Sequence, residues 1–477
     1  MRWRFSGLAP YVRAMSRRFL TADPAFAAAF QSYLHEPRGG EADVDSAAAA
    51  IIEEVRGGGF DALLSCAERF DRVRLDVDSV RVTPEEVEAG AAACPEPVRE
   101  AIAFAAGRIR AYHERQRPAD ARWIDETGTE LGWRWTPLES VGVYVPGGRA
   151  AYPSSLLMNV VPAQAAGVDR IAMITPPGRL SAAVLAAAAE VGLSEIWRVG
   201  GAHGVAALAY GAGPIRPVDK IVGPGNAYVT AAKRRLYGVV GIDALAGPSE
   251  IVVVADAAND PDWIAADLLS QAEHDPAAQS ILITDDAEFA ARVEAAVARQ
   301  LATLFTGEDA AESWRRHGAV IVVGDLDESP SLVDALAPEH VEFAVDAPER
   351  LSDRVRHAGA IFLGRHAPEA IGDYVAGSNH VLPTSRSARF SSGLSIYDFL
   401  KRTSLIKVDA AAFARLAPHT IALADAEGLP AHARSASIRT NSGGPIGEGC
   451  ALRDGGSSDR SPYQRDAQPS DRARARL

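Results

Sequence analysis

IVVVADAANDPDWIAADLLSQAEHDPAAQSILITDD (251–286) decides the fold of this 477-residue chain. It opens on the apolar run IVVVAD (251–256) and closes on SILITDD (280–286), with a helix-like segment between them. Asp260 is suited to cap that segment and Pro261 to its first turn, while Asp275-Pro276 ends it. Leu268, Ala265, Leu269 and Ala272 fall on one stripe at 100° per residue, the side that packs on a sheet. Continuous apolar strands joined by helices make parallel sheets covered on both faces. The pattern continues through AVIVVGD (319–325), HVEFAV (340–345) and AIFLG (360–364). Upstream, VGVYVPGG (141–148), RIAMITPP (170–177), EIWRVGG (195–201) and KIVGPGN (220–226) form a similar set. The reading is an α/β protein with two parallel-sheet units, divided near Gly247-Pro248. Ligands of such sheets are expected at the carboxyl ends of the strands, in the crevice between the units.

Outside these units the chain reads differently. Residues 15–136 are expected to be mainly helical, with Thr83-Pro84-Glu85-Glu86 as a capping box and 97–113 apolar at helical spacing. Residues 137–246 and 247–378 hold the two sheets, and 379–440 is a helical region punctuated by Pro383, Pro418 and Pro430. The first fourteen residues read as a disordered extension ahead of Met15. Residues 441–477 are rich in Gly, Ser, Asp and Arg and lack the apolar side chains that offset ordering entropy, so they read as a disordered tail.

Composition narrows the function classes. The chain is 47% hydrophobic and 23% charged, enough apolar material for two or three cores. A formal charge of −13 opposes binding to a phosphate backbone, and no apolar run is long enough to span a membrane. Cys66, Cys94 and Cys450 share no close spacing, so neither a disulfide framework nor a thiolate zinc knuckle is expected, which suits a cytoplasmic location.

Four segments hold the side chains for chemistry. In the 260–276 helix, Asp267, Gln271 and His274 share a face, and Gln271 and His274 are one turn apart. They are either two ligands for one ion or a solvated face ending in a histidine that complements the helix dipole. In APEHVEF (337–343), Glu339-His340 offers a carboxylate and an imidazole, a base and a proton carrier, at a loop-to-strand junction. IGDYVAGSNHVLPT (371–384) presents Asp373 as an oxygen donor or a turn residue, and EGLPAHARS (427–435) places Glu427 and His432 around Pro430. Glycine-rich VGPGN (222–226) precedes a helix, so its amides suit an anion. No G-x-G-x-x-G and no P-loop occur.

VGVYVPGG, KIVGPGNAYV, AGPSEI, LLSQAEHDP, APEHVEF, GDYVAGSNHVLPTSRSARFSSGLS and IYDFLKRTS, in this order, closely resemble the histidinol dehydrogenase family over roughly residues 15–440. The resemblance implies two Rossmann-like units with helical N-terminal and C-terminal extensions. It also implies NAD-dependent, four-electron oxidation of L-histidinol to L-histidine through the aldehyde, the last two steps of histidine synthesis. One zinc per subunit is implied at Gln271, His274, Asp373 and His432, a nitrogen and oxygen set suited to a catalytic rather than a closed structural ion. Glu339 and His340 take the catalytic positions. Substrate contacts fall on Ser249, Gln271, His274, His340, Asp373, Glu427 and His432, and NAD contacts on Tyr144, His203 and Asn226. His203 departs from the family, which usually has glutamine in GGAQ where this chain reads GGAH. The resemblance further implies a homodimer in which Glu427 and His432 serve the partner's site. A paralogous zinc and NAD dehydrogenase acting on another small hydroxy compound, such as a sulfonated diol, is the alternative on the same scaffold.

Overall fold

A computed structural model describes residues 16–36, 42–147, 152–178 and 180–440. The proposed N-terminal extension 1–14 and the tail 441–477 lie outside the described residues, as does Gly148 of VGVYVPGG. The chain divides into two compact units: one takes residues up to 121 together with 133–404, the other 122–132 and the residues from 405 onward.

The first unit contains both parallel sheets. One runs Glu195–Trp197, Arg170–Ile174, Ser140–Tyr144, Lys220–Val222, Gly241–Ile242. The other runs Arg17–Leu20, Ala319–Val322, Gln279–Thr284, Glu250–Ala255, His340–Ala344, Ala360–Leu363. Every pairing within both sheets is parallel. In each sheet the first strand of the expected set lies in the middle. The second and third extend to one side and the fourth to the other, followed by the unexpected Gly241–Ile242 in the first sheet and by the expected fifth strand in the second, so the strand order reverses beside Ser140–Tyr144 and beside Glu250–Ala255.

Burial explains why the strands read as continuous apolar runs. Ile251 and Val253 pack with Leu268, Phe289 and Trp314 on one face, while Val252 and Val254 pack with Phe30, Leu332 and Phe343 on the other. Val141 and Val143 likewise face Leu156 and Met158, with Ala172 and Ile174 turned toward Val205 and Leu208. Burying such side chains stabilises by roughly 1.5–3 kcal/mol each, which is why neither face tolerates alternation with polar residues.

The expected helices form where their caps lie. Thr83 Oγ1 accepts from the Glu86 amide at 3.2 Å and Glu86 Oε2 from the Thr83 amide at 2.9 Å, closing the capping box that opens helix Pro84–Ala93. Helix Pro261–Ala272 starts with Asp260 accepting from the Asp262 amide at 2.9 Å, and Ala265, Leu268, Leu269 and Ala272 are buried. Several features escape the local pattern, among them strands Ala121–Ile124, Glu130–Pro137 and Leu400–Lys407 in stretches that read as helical. Arg17–Leu20, inside a stretch that reads as helical, is a strand at the edge of the second sheet beside Ala319–Val322. Its four residues alternate in burial, too briefly to signal a strand, and its partner is far away in sequence. Pro418, expected as punctuation, lies inside helix Ala410–Ala426.

The second unit carries that helix and helix Pro430–Thr440. Asp409 caps the first by accepting from the Ala412 amide at 2.8 Å. Its apolar side chains are mostly outward: Ile406, Leu423 and Ile438 are all more than half exposed.

Candidate active site

Strand His340–Ala344 inserts beside Glu250–Ala255, with His340 opposite Ile251 on one side and Ala360 on the other. Glu339-His340 therefore stands at the amino end of the second sheet, where the order reverses. This corrects the expectation that ligands of these units gather only at carboxyl ends. The physical reason is connectivity: the helices run antiparallel to the strands, so the last turn of Pro261–Ala272 returns Gln271 and His274 toward the amino end. Helix Glu369–Tyr374, which carries Asp373, follows strand Ala360–Leu363 in the same sense.

Glu250 holds Glu339 and His340 together. Its amide donates to Glu339 Oε2 at 2.9 Å, and its carbonyl oxygen lies 3.1 Å from His340 Nδ1. A carbonyl only accepts, so Nδ1 carries the proton and Nε2 presents its lone pair. Glu250 Oε1 also accepts from the Ser385 amide at 3.1 Å, and Thr384 Oγ1 accepts from the Gly247 amide at 2.6 Å. These bonds clasp the AGPSE and PTSR loops together. Ser385 and Arg386 both sit in the left-handed region, at φ 53° and 64°, a costly conformation for side-chain-bearing residues that this clasp maintains. Gly359 packs so closely on the pair that a Cβ there would meet the Glu339 carbonyl oxygen at 2.6 Å.

Around His340 lie carboxyl groups that are buried or nearly so. Glu339 Oε2 is 3.7 Å from Nδ1, while Asp373 Oδ1 and Glu369 Oε1 are 3.8 and 3.9 Å from Nε2. Burial pushes the Glu339 carboxyl well above the ordinary glutamate range, and the acidic neighbours Glu250, Asp373 and Glu369 push the same way. Burial lowers the His340 imidazole, keeping it neutral and able to accept a proton. Asp373 is raised by burial first and by Glu369 second. Asp267, on the adjoining helix, is pushed up to about 7 by burial and by Glu369.

The expected ligands divide. Asp373 stands beside His340, and His274, exposed past the end of its helix, is near enough for its charge to lower both His340 and His380. Gln271 is 1% exposed rather than part of a solvated face, and its Oε1 has no hydrogen-bond partner. His340 Nε2 and Glu369 Oε1 are likewise buried without partners. Unsatisfied buried acceptors are costly, and a cation among them removes that cost. The donor set of amide oxygen, imidazole and carboxylate, with no thiolate nearby, fits zinc. Among the described residues, His340, Glu369 and Asp373 have ligand atoms within 4.8 Å of one another. Glu427 and His432 are exposed on the second unit.

Two residues at the site were not singled out from the sequence. Glu369 sits one helical turn before Asp373, and that i,i+4 spacing was its only signal. His380 lies in the quoted GSNH loop, with Nδ1 3.8 Å from Asp373 Oδ1. Burial first, then the neighbouring imidazoles His340 and His274, lower it to about 4.

The first sheet presents its own carboxyl end. Tyr144 ends the central strand, 2% exposed, and its hydroxyl accepts from the Gly201 amide at 3.2 Å. Asn226 Oδ1 accepts from the Tyr228 and Val229 amides, both at 3.1 Å, and so caps helix Ala227–Leu236. Gly223, at φ 108°, allows this turn to cross Tyr144, since a Cβ there would meet the Tyr144 carbonyl oxygen at 2.3 Å. His203 is 2% exposed; its Nε2 lies 3.1 Å from Asp71 Oδ2, and its ring stacks on Phe70. Ser249 is partly buried next to Glu250, its carbonyl accepting from the Gln279 amide at 2.9 Å.

Comparison with known proteins identifies the family. Residues 34–440 match the family model for histidinol dehydrogenase. The chain is 76% identical over 427 residues to the histidinol dehydrogenase of Caulobacter vibrioides, covering 90% of this chain and all of that one. It is 56% identical to that of Rhodospirillum rubrum, again over 90% of this chain and 100% of the relative. The crystal structure of histidinol dehydrogenase from Elizabethkingia anophelis superposes with a TM-score of 0.84 at 32% identity, covering 89% of this chain and 98% of that one. This chain belongs to the histidinol dehydrogenase family.

Proposed function

We infer that Glu339, His340, Gln271, His274, Asp373 and Ser249 line the site at which this chain works. Its activity is the NAD-dependent oxidation of L-histidinol to L-histidine, and the family uses zinc and NAD. The observation that carries the site reading is the Glu250 clamp: one backbone unit holds Glu339 and His340 together and turns His340 Nε2 toward Asp373.

Converting a primary alcohol to a carboxylate removes two hydrides in succession, with a water added between them. In the first half-reaction His340 Nε2 accepts the C1 hydroxyl proton as the first hydride departs. In the second, Glu339 takes a proton from the water that adds to the aldehyde. A buried carboxyl with a raised proton affinity suits that step, because a base works best when its pKa lies near the operating pH. His340 then collects the hydroxyl proton of the hydrate as the second hydride leaves. Bound at Gln271, His274, Asp373 and His432, zinc supplies Lewis-acid anchoring that orients the substrate.

Tyr144, Asn226 and His203 mark the NAD side, at the carboxyl end of the first sheet. The cap uses Asn226 Oδ1, which leaves its amide nitrogen to donate; His203 acts there through its hold on Asp71. The working segments are 15–136, 137–246, 247–378 and 379–440, the last making the dimer contact. Exposed Ile406, Leu423 and Ile438 favour a second copy as its cover, with Glu427 and His432 serving the neighbouring subunit. A cytoplasmic location goes with this biosynthetic role; no helix among the described residues is long and apolar enough to cross a membrane.

Steady-state oxidation of L-histidinol with NAD, before and after chelator treatment, tests the reading. Turnover that is lost on chelation and restored by zinc supports it. Turnover of sulfopropanediol in place of histidinol overturns it.

A further inference from the structure

Glu369 is 2% exposed and lies outside the ligand set that the family resemblance implies, Gln271, His274, Asp373 and His432. Its contacts tie it to the strand of His340 and to the helix of Gln271. Its amide donates to Glu342 Oε1, on the strand that begins with His340. Ser270 Oγ shares its one proton between the Asp267 carbonyl at 2.8 Å and Glu369 Oε2 at 3.1 Å. Ser270 immediately precedes Gln271, so this bond joins the helix of Gln271 and His274 to the helix of Asp373. The other carboxylate oxygen, Oε1, is buried without a partner and faces into the site, 3.9 Å from His340 Nε2.

We propose that Glu369 is a positioning residue that braces the two ligand-bearing helices and so sets the zinc affinity. The proposal rests on the assignment of Gln271, His274 and Asp373 as ligands. Helix Glu369–Tyr374 has only six residues and cannot hold Asp373 in place by its own stability. Glu342 fixes its first amide from the sheet, and Ser270 fixes its first side chain from the neighbouring helix. With both anchors in place, Asp373 meets Gln271 and His274 at a set separation, and little ordering is left for the metal to bring about. Outer partners of this kind typically change metal affinity by about 10–100-fold.

Zinc affinity of the metal-depleted full-length protein, read by competition with a chromophoric chelator, tests this. Ser270→Ala touches no ligand and leaves the Glu369 carboxyl group in place; it weakens zinc binding about 10-fold, and Ser270→Thr restores it. Glu369→Leu, which keeps no acceptor for Ser270, weakens binding as well. The double variant Ser270→Ala/Glu369→Leu is no weaker than the worse single one, because both remove the same brace. Thermal unfolding of the metal-free proteins stays close to that of the parent. Unchanged affinity in Ser270→Ala, or two losses that multiply, overturns the brace. Asp373→Asn separates the two readings: if it alone leaves zinc affinity unchanged, the ligand assignment has failed. If Asp373→Asn abolishes binding while Ser270→Ala has no effect, only the brace has failed.

Discussion

The carbonyl oxygen of Glu250 lies 3.1 Å from Nδ1 of His340, on the neighbouring strand. One main-chain group thereby determines which imidazole nitrogen is basic, and the amide of the same residue holds Glu339. Because both contacts come from backbone inside a sheet, substitution of the Glu250 side chain leaves the donors and acceptors of the clamp in place.

If Glu339 and His340 act as proposed, their duties are separable. Glu339→Gln is expected to reduce oxidation of supplied histidinaldehyde by about 10²–10⁴-fold while alcohol oxidation falls much less. His340→Asn is expected to depress both. Stopped-flow measurement of the separate half-reactions checks this; equal losses in Glu339→Gln remove the division.

Zinc should stabilise the protein more at high pH than at low. Asp267, Glu339, Glu342 and Asp373 all have proton affinities raised by burial. A raised folded-state pKa gives stability that is complete below the ordinary carboxylate value and lost as pH climbs through the folded one, about 7 for Asp267. The metal-free protein therefore weakens as pH rises from about 4 upward, whereas a cation among these groups favours their charged forms. The rise in melting temperature on adding zinc should be larger near pH 8 than near pH 5.5. An equal rise at both values would contradict the assignment of these carboxyls to the metal's surroundings.

Gly359 leaves no room for a methyl group against the Glu339 carbonyl oxygen. Gly359→Ala is expected to cost about 1–3 kcal/mol by overpacking and to displace Glu339. Thermal unfolding together with aldehyde oxidation reads both effects. A variant as stable and active as the parent would mean that the loop yields freely.

If His432 serves the neighbouring subunit, two inactive variants can complement one another. Mixing His340→Asn and His432→Asn proteins under conditions of subunit exchange should restore activity toward one quarter of the parent's, the share expected if half the dimers are mixed and each holds one intact site. No recovery after verified exchange counts against shared sites.

Much of this was open to reading in the residues themselves. The apolar runs at 251–256, 280–286 and 340–345 specify buried strands because both faces of a parallel sheet must exclude water. Thr83, Asp260 and Pro261 specify helix starts because capping is satisfied within three residues. Arg17–Leu20, Glu369 and the Glu250 clamp lay beyond such reading. Each depends on a partner distant along the chain, and the strand-end position of Glu339-His340 depends on which way the connecting helices return. Local chemistry determined the elements and offered the reactive side chains. Tertiary packing alone decided which nitrogen of His340 carries the proton and which carboxyl groups lose their water, because desolvation and hydrogen-bond direction are properties of the assembled site.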